Sequence, residues 1–249
     1  MTPGCKALLL DLSGVLYDGN IAIEGAADIV AKARRLGLVI RFVTNTASKS
    51  SAEIITGLQR MGIVVPEDEL FTAPLAAKRY VVEEQLRPYI LLHSSVISEF
   101  SDVPQSEPNC VVLGDARSDL NYENLNRAFQ LCHAGAPLIA VGMNKFFQTE
   151  SGLQLDAGGF VHAIEWAAGC DVIVMGKPSI EFFKQVVAST GFAACECLMV
   201  GDDVDSDVLG ALAAGLQACL VKTGKYQQGD EELLPKGARV VDSIDDLFY

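Results

Sequence analysis

Short apolar runs alternate with amphipathic stretches along this chain, and they do so toward both ends. Residues 7–10 are Ala-Leu-Leu-Leu, too short for a helix and apolar on every face, which predicts a buried strand ending at Asp11. From 25 to 36 the apolar residues recur at helical spacing (Ala26, Ile29, Val30, Ala33, Leu36), and Gly37 closes the stretch. A second buried strand is predicted over 38–43, stopping at Thr44 and Asn45. The next helix runs over 48–60, with Ile54, Ile55 and Leu58 inward and Gly62 past its end. The same grammar returns later: a strand over 172–175, a Gly-Lys-Pro-Ser turn, and a helix over 180–189 with Pro178 suited to its start. A strand over 197–200 then ends at Gly201-Asp202-Asp203, a small-residue helix over 208–214 is closed by Gly215, and a last strand covers 217–221.

Strands alternating with helices in this way predict the α/β class, a doubly wound parallel sheet. Between the two blocks lies a stretch with strands of its own (89–92, 111–113, 138–141) and helices over Tyr122–His133 and 159–168. It is long enough to be an inserted α/β cap domain. We expect a core formed by residues 1–73 and 174–249 and a cap formed by 74–173, with 101–109 a loop inside the cap.

Composition narrows the function classes. The chain has 249 residues, half of them apolar, and 19 Lys plus Arg against 32 Asp plus Glu, a net charge of −13. That field repels phosphate backbones and anionic headgroups, so neither nucleic-acid nor membrane-surface binding is expected. No apolar run approaches the roughly 18 residues of a membrane span. The opening MTPGCKALLLD lacks the long apolar stretch of a secretory signal, so the expected compartment is cytoplasmic. The seven cysteines are scattered, mostly in apolar segments, and read as reduced core thiols; the Cys195-x-Cys197 pair has no second pair at zinc-finger spacing.

In open α/β sheets, residues just beyond the carboxyl ends of the strands converge on one crevice. The strand ends here supply Asp11, then Thr44 with Asn45, then Lys177, then Asp202 with Asp203. Two acidic stations, a hydroxyl and amide station and an ammonium are the set that holds Mg²⁺ and a phosphoryl group together: carboxylates ligate the hard cation, and the metal and the lysine neutralise the phosphate.

The same segments carry a family resemblance. DLSGVLYDG from Asp11, Thr44-Asn45 in RFVTNT, Lys177 in GKPS and GDDVDSD from Gly201 resemble the four motifs of the haloacid dehalogenase superfamily, in order and across almost the whole chain. An insertion between the second and third motifs is similar to its type II capped branch. Within that branch, LNRAF, KFFQTESGL, LDAGGF, GKPS and VKTGKY resemble the subgroup acting on phospholysine, phosphohistidine and pyrophosphate. The resemblance implies that Asp11 attacks phosphorus to form an aspartyl phosphate, and that Asp11, the main-chain carbonyl of Ser13 and Asp202 hold Mg²⁺. It also implies that Thr44 and Asn45 bind phosphoryl oxygens, that Lys177 offsets the repulsion between carboxylate and substrate, and that Asp203 and Asp207 stand behind them, orienting Lys177. The expected partner is a small phosphorylated substrate or a phosphorylated residue; apolar cap surface would mediate a homodimer, as in the family.

Ser13 departs from the superfamily pattern, which has a general acid/base Asp two residues after the nucleophile. A hydroxyl cannot supply that proton at neutral pH, and acid–base help is worth about 10²–10⁴ in rate. Alkyl esters, whose alkoxides need a proton, are therefore disfavoured against phosphoramidates and pyrophosphate. Three classes stay open: an N-phosphate or pyrophosphate phosphatase, a general phosphomonoesterase for sugar or nucleotide phosphates, and a weak or silent interaction protein. A phosphotransferase would use the same residues. Cap specificity is bracketed to 114–122 and 144–155. His93, His133 and His162 are read as non-catalytic, although His93 at a strand end could face the crevice, and Phe146-Phe147 and Phe182-Phe183 are read as core.

Overall fold

The computed structural model describes residues 4–149, 152–235 and 238–248. The chain separates into two compact units: Met1–Thr44, Ser51–Phe71 and Lys177–Tyr249 form the first, and Asn45–Ser50 with Thr72–Gly176 form the second.

The first unit is built on a six-stranded sheet. Ala7–Asp11 lies inside it, flanked on one side by Val39–Thr44 and then Leu70–Thr72, and on the other by Cys197–Gly201, Gln217–Val221 and Arg239–Val241. Ala7–Asp11 runs parallel to both its neighbours, and the two outer pairings beyond Cys197–Gly201 are parallel as well. All five residues of Ala7–Asp11 and of Cys197–Gly201 are buried, as expected of strands covered on both faces. Helix Ala26–Arg35 lays Ala26, Ile29, Val30 and Ala33 against the sheet, and helix Ser51–Arg60 adds Ile54 and Leu58; Leu8, Leu10, Phe42 and Val200 meet them from the strands. Each such fully buried aliphatic or aromatic side chain stabilises the fold by about 1.5–3 kcal/mol.

The second unit has a four-stranded parallel sheet, ordered Val172–Val174, Leu138–Ala140, Cys110–Leu113, Pro88–Leu91. Helices Tyr122–His133 and Ala157–Ala168 cover it through Ala128, Cys132, Val161 and Ile164. An antiparallel hairpin, Phe146–Thr149 with Gly152–Leu155, completes this unit.

Several expectations change. The strand read at 172–175 does not join the six-stranded sheet: Val172–Val174 pairs with Leu138–Ala140 in the second unit. A buried apolar triplet fits either sheet, and local pattern does not choose. The helix read at 208–214 starts earlier, with a π-helical stretch Val204–Leu209 leading into Gly210–Ala213. The side chain of Asp203 caps it by accepting from the Ser206 N–H at 2.9 Å, and polar Asp205, Ser206 and Asp207 mask the start from any apolar periodicity. Phe182 and Phe183 are core as read, but Phe146 is 57% exposed on the hairpin. Cys195 is exposed, and Cys5 and Cys170 are half-buried; the other four thiols are buried, and all seven are unbridged. Leu70–Thr72 and Arg239–Val241 were not read as strands, nor Ala73–Glu83 as a helix.

Candidate active site

Strand order and register assemble the site of the first unit. Asp11 is level with Val43 on one neighbour, and Leu10 is level with Val200 on the other, so Thr44, the last residue of its strand, and Asp202, just past the end of its own, lie on either side of Asp11. Neighbouring strands are about 4.8 Å apart. This is also where the strand order reverses: the chain leaves Ala7–Asp11 toward one edge and returns on its other side with Cys197–Gly201.

Lys177 is the cation of the cluster, although it stands at the end of no strand in this sheet. Its Nζ donates to Asp11 Oδ1 at 2.8 Å and to Asp207 Oδ1 at 2.6 Å, with the lysine side chain 3% exposed. Asp207 Oδ2 accepts from the Asp203 N–H at 3.2 Å, so both its oxygens are engaged. Burial works against the ammonium of Lys177, but the two carboxylates outweigh it and hold its pKa above the ordinary lysine range. Burial raises Asp207 to about 6 against the pull of Lys177. Asp11 is raised too, by burial first, with Lys177 opposing and Asp202 adding to the rise.

Asp202 is differently placed. Its Oδ2 accepts from the Lys225 N–H at 2.7 Å, whereas its Oδ1 is buried with no hydrogen-bond partner. Burial raises its pKa, and the Lys225 N–H pulls it back in part. Leaving a buried charged acceptor unmatched is costly. One oxygen each of Asp11, Asp202 and Asp207 lie within 4.8 Å of one another. Because Asp207 is fully engaged, Asp11 and Asp202 are the carboxylates available to a cation, and an all-oxygen donor set with one orphaned oxygen fits Mg²⁺.

The remaining predicted residues are distributed as follows. Ser13 is exposed in the turn after Asp11, paired through its backbone with Tyr17. Thr44 is buried at the end of its strand. The Asp203 side chain caps the π-helical turn and pairs with Lys225 Nζ at 3.2 Å. Asn45 belongs to the second unit, where it helps line a cavity of about 200 Å³ with Asp115, Arg117, Asn144, Phe147 and Asp156. That cavity draws on both segments bracketed for specificity. Its Arg117 pairs with Asp115 at 3.0 Å and stands 4.7 Å over the Phe147 ring. His93 caps a short helix by accepting from the Ser95 N–H. Thr223, Gly224 and Lys225 enter the sequence reading only within the VKTGKY resemblance, which gives them no role. They follow the carboxyl end of Gln217–Val221, so the strand-end rule applied once more would have found them.

Among the described residues, no helix is long and apolar enough to cross a membrane. The haloacid dehalogenase-like hydrolase family model matches residues 8–104, and a second HAD-hydrolase-like model matches 174–247. The chain is 44% identical over 235 residues to the rat phospholysine phosphohistidine inorganic pyrophosphate phosphatase, covering 92% of this chain and 87% of the relative. Its structure is similar to the p-nitrophenyl phosphatase of Archaeoglobus fulgidus, with a TM-score of 0.88, 27% identity and 98% of each chain covered. It is also similar to a glycerol phosphate phosphatase of Mycobacterium tuberculosis solved in complex with magnesium, at a TM-score of 0.81 and 28% identity, over 96% of this chain and 76% of that one. With three buried carboxylates and a buried lysine gathered at the switch point of a parallel sheet, and relatives of this identity along nearly its whole length, the chain belongs to the haloacid dehalogenase-like hydrolases and is a phosphatase of that family.

Proposed function

We propose that this phosphatase works through an aspartyl phosphate on Asp11 and acts on phosphoramidates, such as phospholysine and phosphohistidine, or on inorganic pyrophosphate. The observation that carries the reading is the Asp11–Lys177–Asp207 array beside an orphaned Asp202 oxygen. A carboxylate oxygen of Asp11 attacks phosphorus, the bond to the leaving group breaks, and its electron pair departs with that group. Water then attacks the phosphorus of the aspartyl phosphate, releasing inorganic phosphate and restoring the carboxylate. Lys177 favours the ionised form of Asp11 against its burial and weakens its repulsion of the anionic substrate, and Asp207 keeps the ammonium in place. Asp11, Asp202 and the Ser13 carbonyl would hold Mg²⁺, which when bound supplies neutralising charge and orientation for the phosphoryl oxygens. Thr44 donates to those oxygens.

The substrate class follows from Ser13. No carboxyl group stands two residues after Asp11 to protonate an alkoxide. A phosphoramidate whose nitrogen already carries its proton leaves as a neutral amine, and pyrophosphate leaves as a phosphate anion. The name of the rat relative supports this class. The names of the two structural relatives favour a second reading, a general phosphate-ester hydrolase. Phosphate release from pyrophosphate, phospholysine, phosphohistidine and several alkyl esters, with Mg²⁺ and with EDTA, separates the two. The expected result is Mg²⁺-dependent release in which N-phosphates and pyrophosphate exceed the esters; faster turnover of a simple alkyl ester overturns the Ser13 argument.

A further inference from the structure

The loop after the Gln217–Val221 strand touches both sides of the proposed metal site through its backbone and one hydroxyl. Thr223 Oγ1 donates to the Gly14 carbonyl, and the Lys225 N–H donates to Asp202 Oδ2. Between them Gly224, at φ +61°, faces Gly14, at φ +82°. A Cβ on either glycine would overlap Asp202 Oδ2, and each would crowd the Cα of the other. Asp202 Oδ2 is thus walled by two glycine backbones and bonded to a main-chain N–H. Oδ2 is the anchored oxygen, and Oδ1 is the oxygen left without a partner.

The other end of this tie bears on Ser13. The Gly14 N–H donates to the Tyr17 carbonyl at 2.7 Å, while the Gly14 carbonyl accepts from Thr223. In a trans peptide the C=O and the following N–H point in opposite directions. Anchoring the Gly14 N–H at Tyr17 therefore sets the direction of the Ser13 carbonyl, and anchoring the Gly14 carbonyl at Thr223 holds the peptide on its other side.

We propose that Thr223–Gly224–Lys225 is the positioning element of the metal site, selecting Oδ1 of Asp202 as its ligating oxygen and locking the Ser13 carbonyl relative to it through the Thr223 hydroxyl. This rests on the reading of Asp202 and Ser13 as metal ligands. Thr223 is a positioning residue: it acts through Gly14. Partners that orient metal ligands are typically worth about 10–100-fold in metal affinity.

The test is Mg²⁺ affinity by calorimetry on the metal-stripped full chain, together with the Mg²⁺ dependence of turnover, for wild type, Thr223→Val, Thr223→Ser and Asp202→Asn. Thr223→Val should weaken Mg²⁺ about tenfold or more, within the range for such partners. It should recover most of its kcat at saturating Mg²⁺, and Thr223→Ser, which keeps the hydroxyl, should bind as wild type. A merely structural threonine would lower kcat at every Mg²⁺ concentration. Unchanged Mg²⁺ affinity in Thr223→Val, while Asp202→Asn loses it, overturns the positioning role and leaves the ligand reading intact. Unchanged affinity in Asp202→Asn overturns the ligand reading itself. Should Thr223→Val not fold, Thr223→Ala and Thr223→Ser give the same comparison, and equal weakening in both contradicts a role for the hydroxyl.

Discussion

The two units carry parallel sheets, and glycines crowd the strand ends of both, yet what the glycines admit differs. In the second unit three of the four strands run out into Gly114, Gly142 and Gly176. A Cβ on Gly114 would strike Val141 and Leu92, and one on Gly176 would meet the Val141 carbonyl at 2.9 Å. A Cβ on Gly142 would meet nothing, because Gly142 borders the cavity lined by Asp115, Arg117 and Asn144. In the first unit, Gly14 and Gly224 make room for Asp202, and Gly201 makes room for Asp207. One architecture thus gives a cavity lined by an Arg–Asp pair at one set of strand ends and a cluster of buried carboxylates at the other, because the residues at the strand ends decide the chemistry and the sheet only gathers them.

The sharpest way to break the contrast is to remove the cation that makes the carboxylates tolerable. Lys177→Met leaves Asp11 and Asp207 facing each other without it, and loss of one partner of a buried ionic pair costs about 3–5 kcal/mol. Its urea midpoint should fall accordingly, turnover should be lost, and a second change, Asp207→Asn, should restore part of the stability; a midpoint unchanged in Lys177→Met refutes the clamp.

A matched pair of glycine substitutions comes next. Gly201→Ala drives a methyl into Asp207, and Gly114→Ala drives one into Val141 and Leu92, each an overpacking cost of about 1–3 kcal/mol. Both should lower the melting temperature. Gly201→Ala should also depress turnover at saturating Mg²⁺ by displacing Asp207 and with it Lys177, whereas Gly114→Ala should leave Mg²⁺ affinity unchanged. Equal loss of turnover at saturating Mg²⁺ in the two would erase the distinction between the sheets.

The smallest expected effect is a pH slope. Burial raises Asp207 from 3.8 in the unfolded chain to about 6 in the folded one. Between those values the metal-free folded protein holds more protons than the unfolded chain, so this residue's contribution to stability declines as pH rises through that window. Melting curves in EDTA should show wild type losing stability relative to Asp207→Asn from the acid end of the window to its upper end; a difference that is flat or of opposite sign contradicts the buried-carboxylate account.

Much of this was legible in the sequence where local pattern is strong. The Leu-Leu-Leu run before Asp11 and the periodic Ile29, Val30, Ala33 face announce their elements because burial imposes the period, and Asp11 and Asp202 are marked by standing where those runs stop. Lys177 was found for a reason that the structure corrects: Val172–Val174 pairs in the other sheet, so the lysine reaches Asp11 by chain path rather than from the end of a neighbouring strand. Short segments such as Leu70–Thr72 and Arg239–Val241 are three residues each, and their pairing depends on a neighbour already in place. The strand-end rule would reach the loop at 223–225 but not its clasp around Asp202. The clasp is made of glycine backbones and one hydroxyl whose partners, Gly14 and Thr223, lie 209 positions apart.

The central claim is that Asp11 becomes covalently phosphorylated. Its most direct test is to quench turnover of pyrophosphate or phosphohistidine in acid, reduce the protein with borohydride, and map the product by peptide mass spectrometry. An acyl phosphate on Asp11 predicts homoserine at position 11, formed only with substrate and Mg²⁺ and absent from Asp11→Asn. Reduction product at a different residue, or sustained turnover by Asp11→Asn, would contradict it.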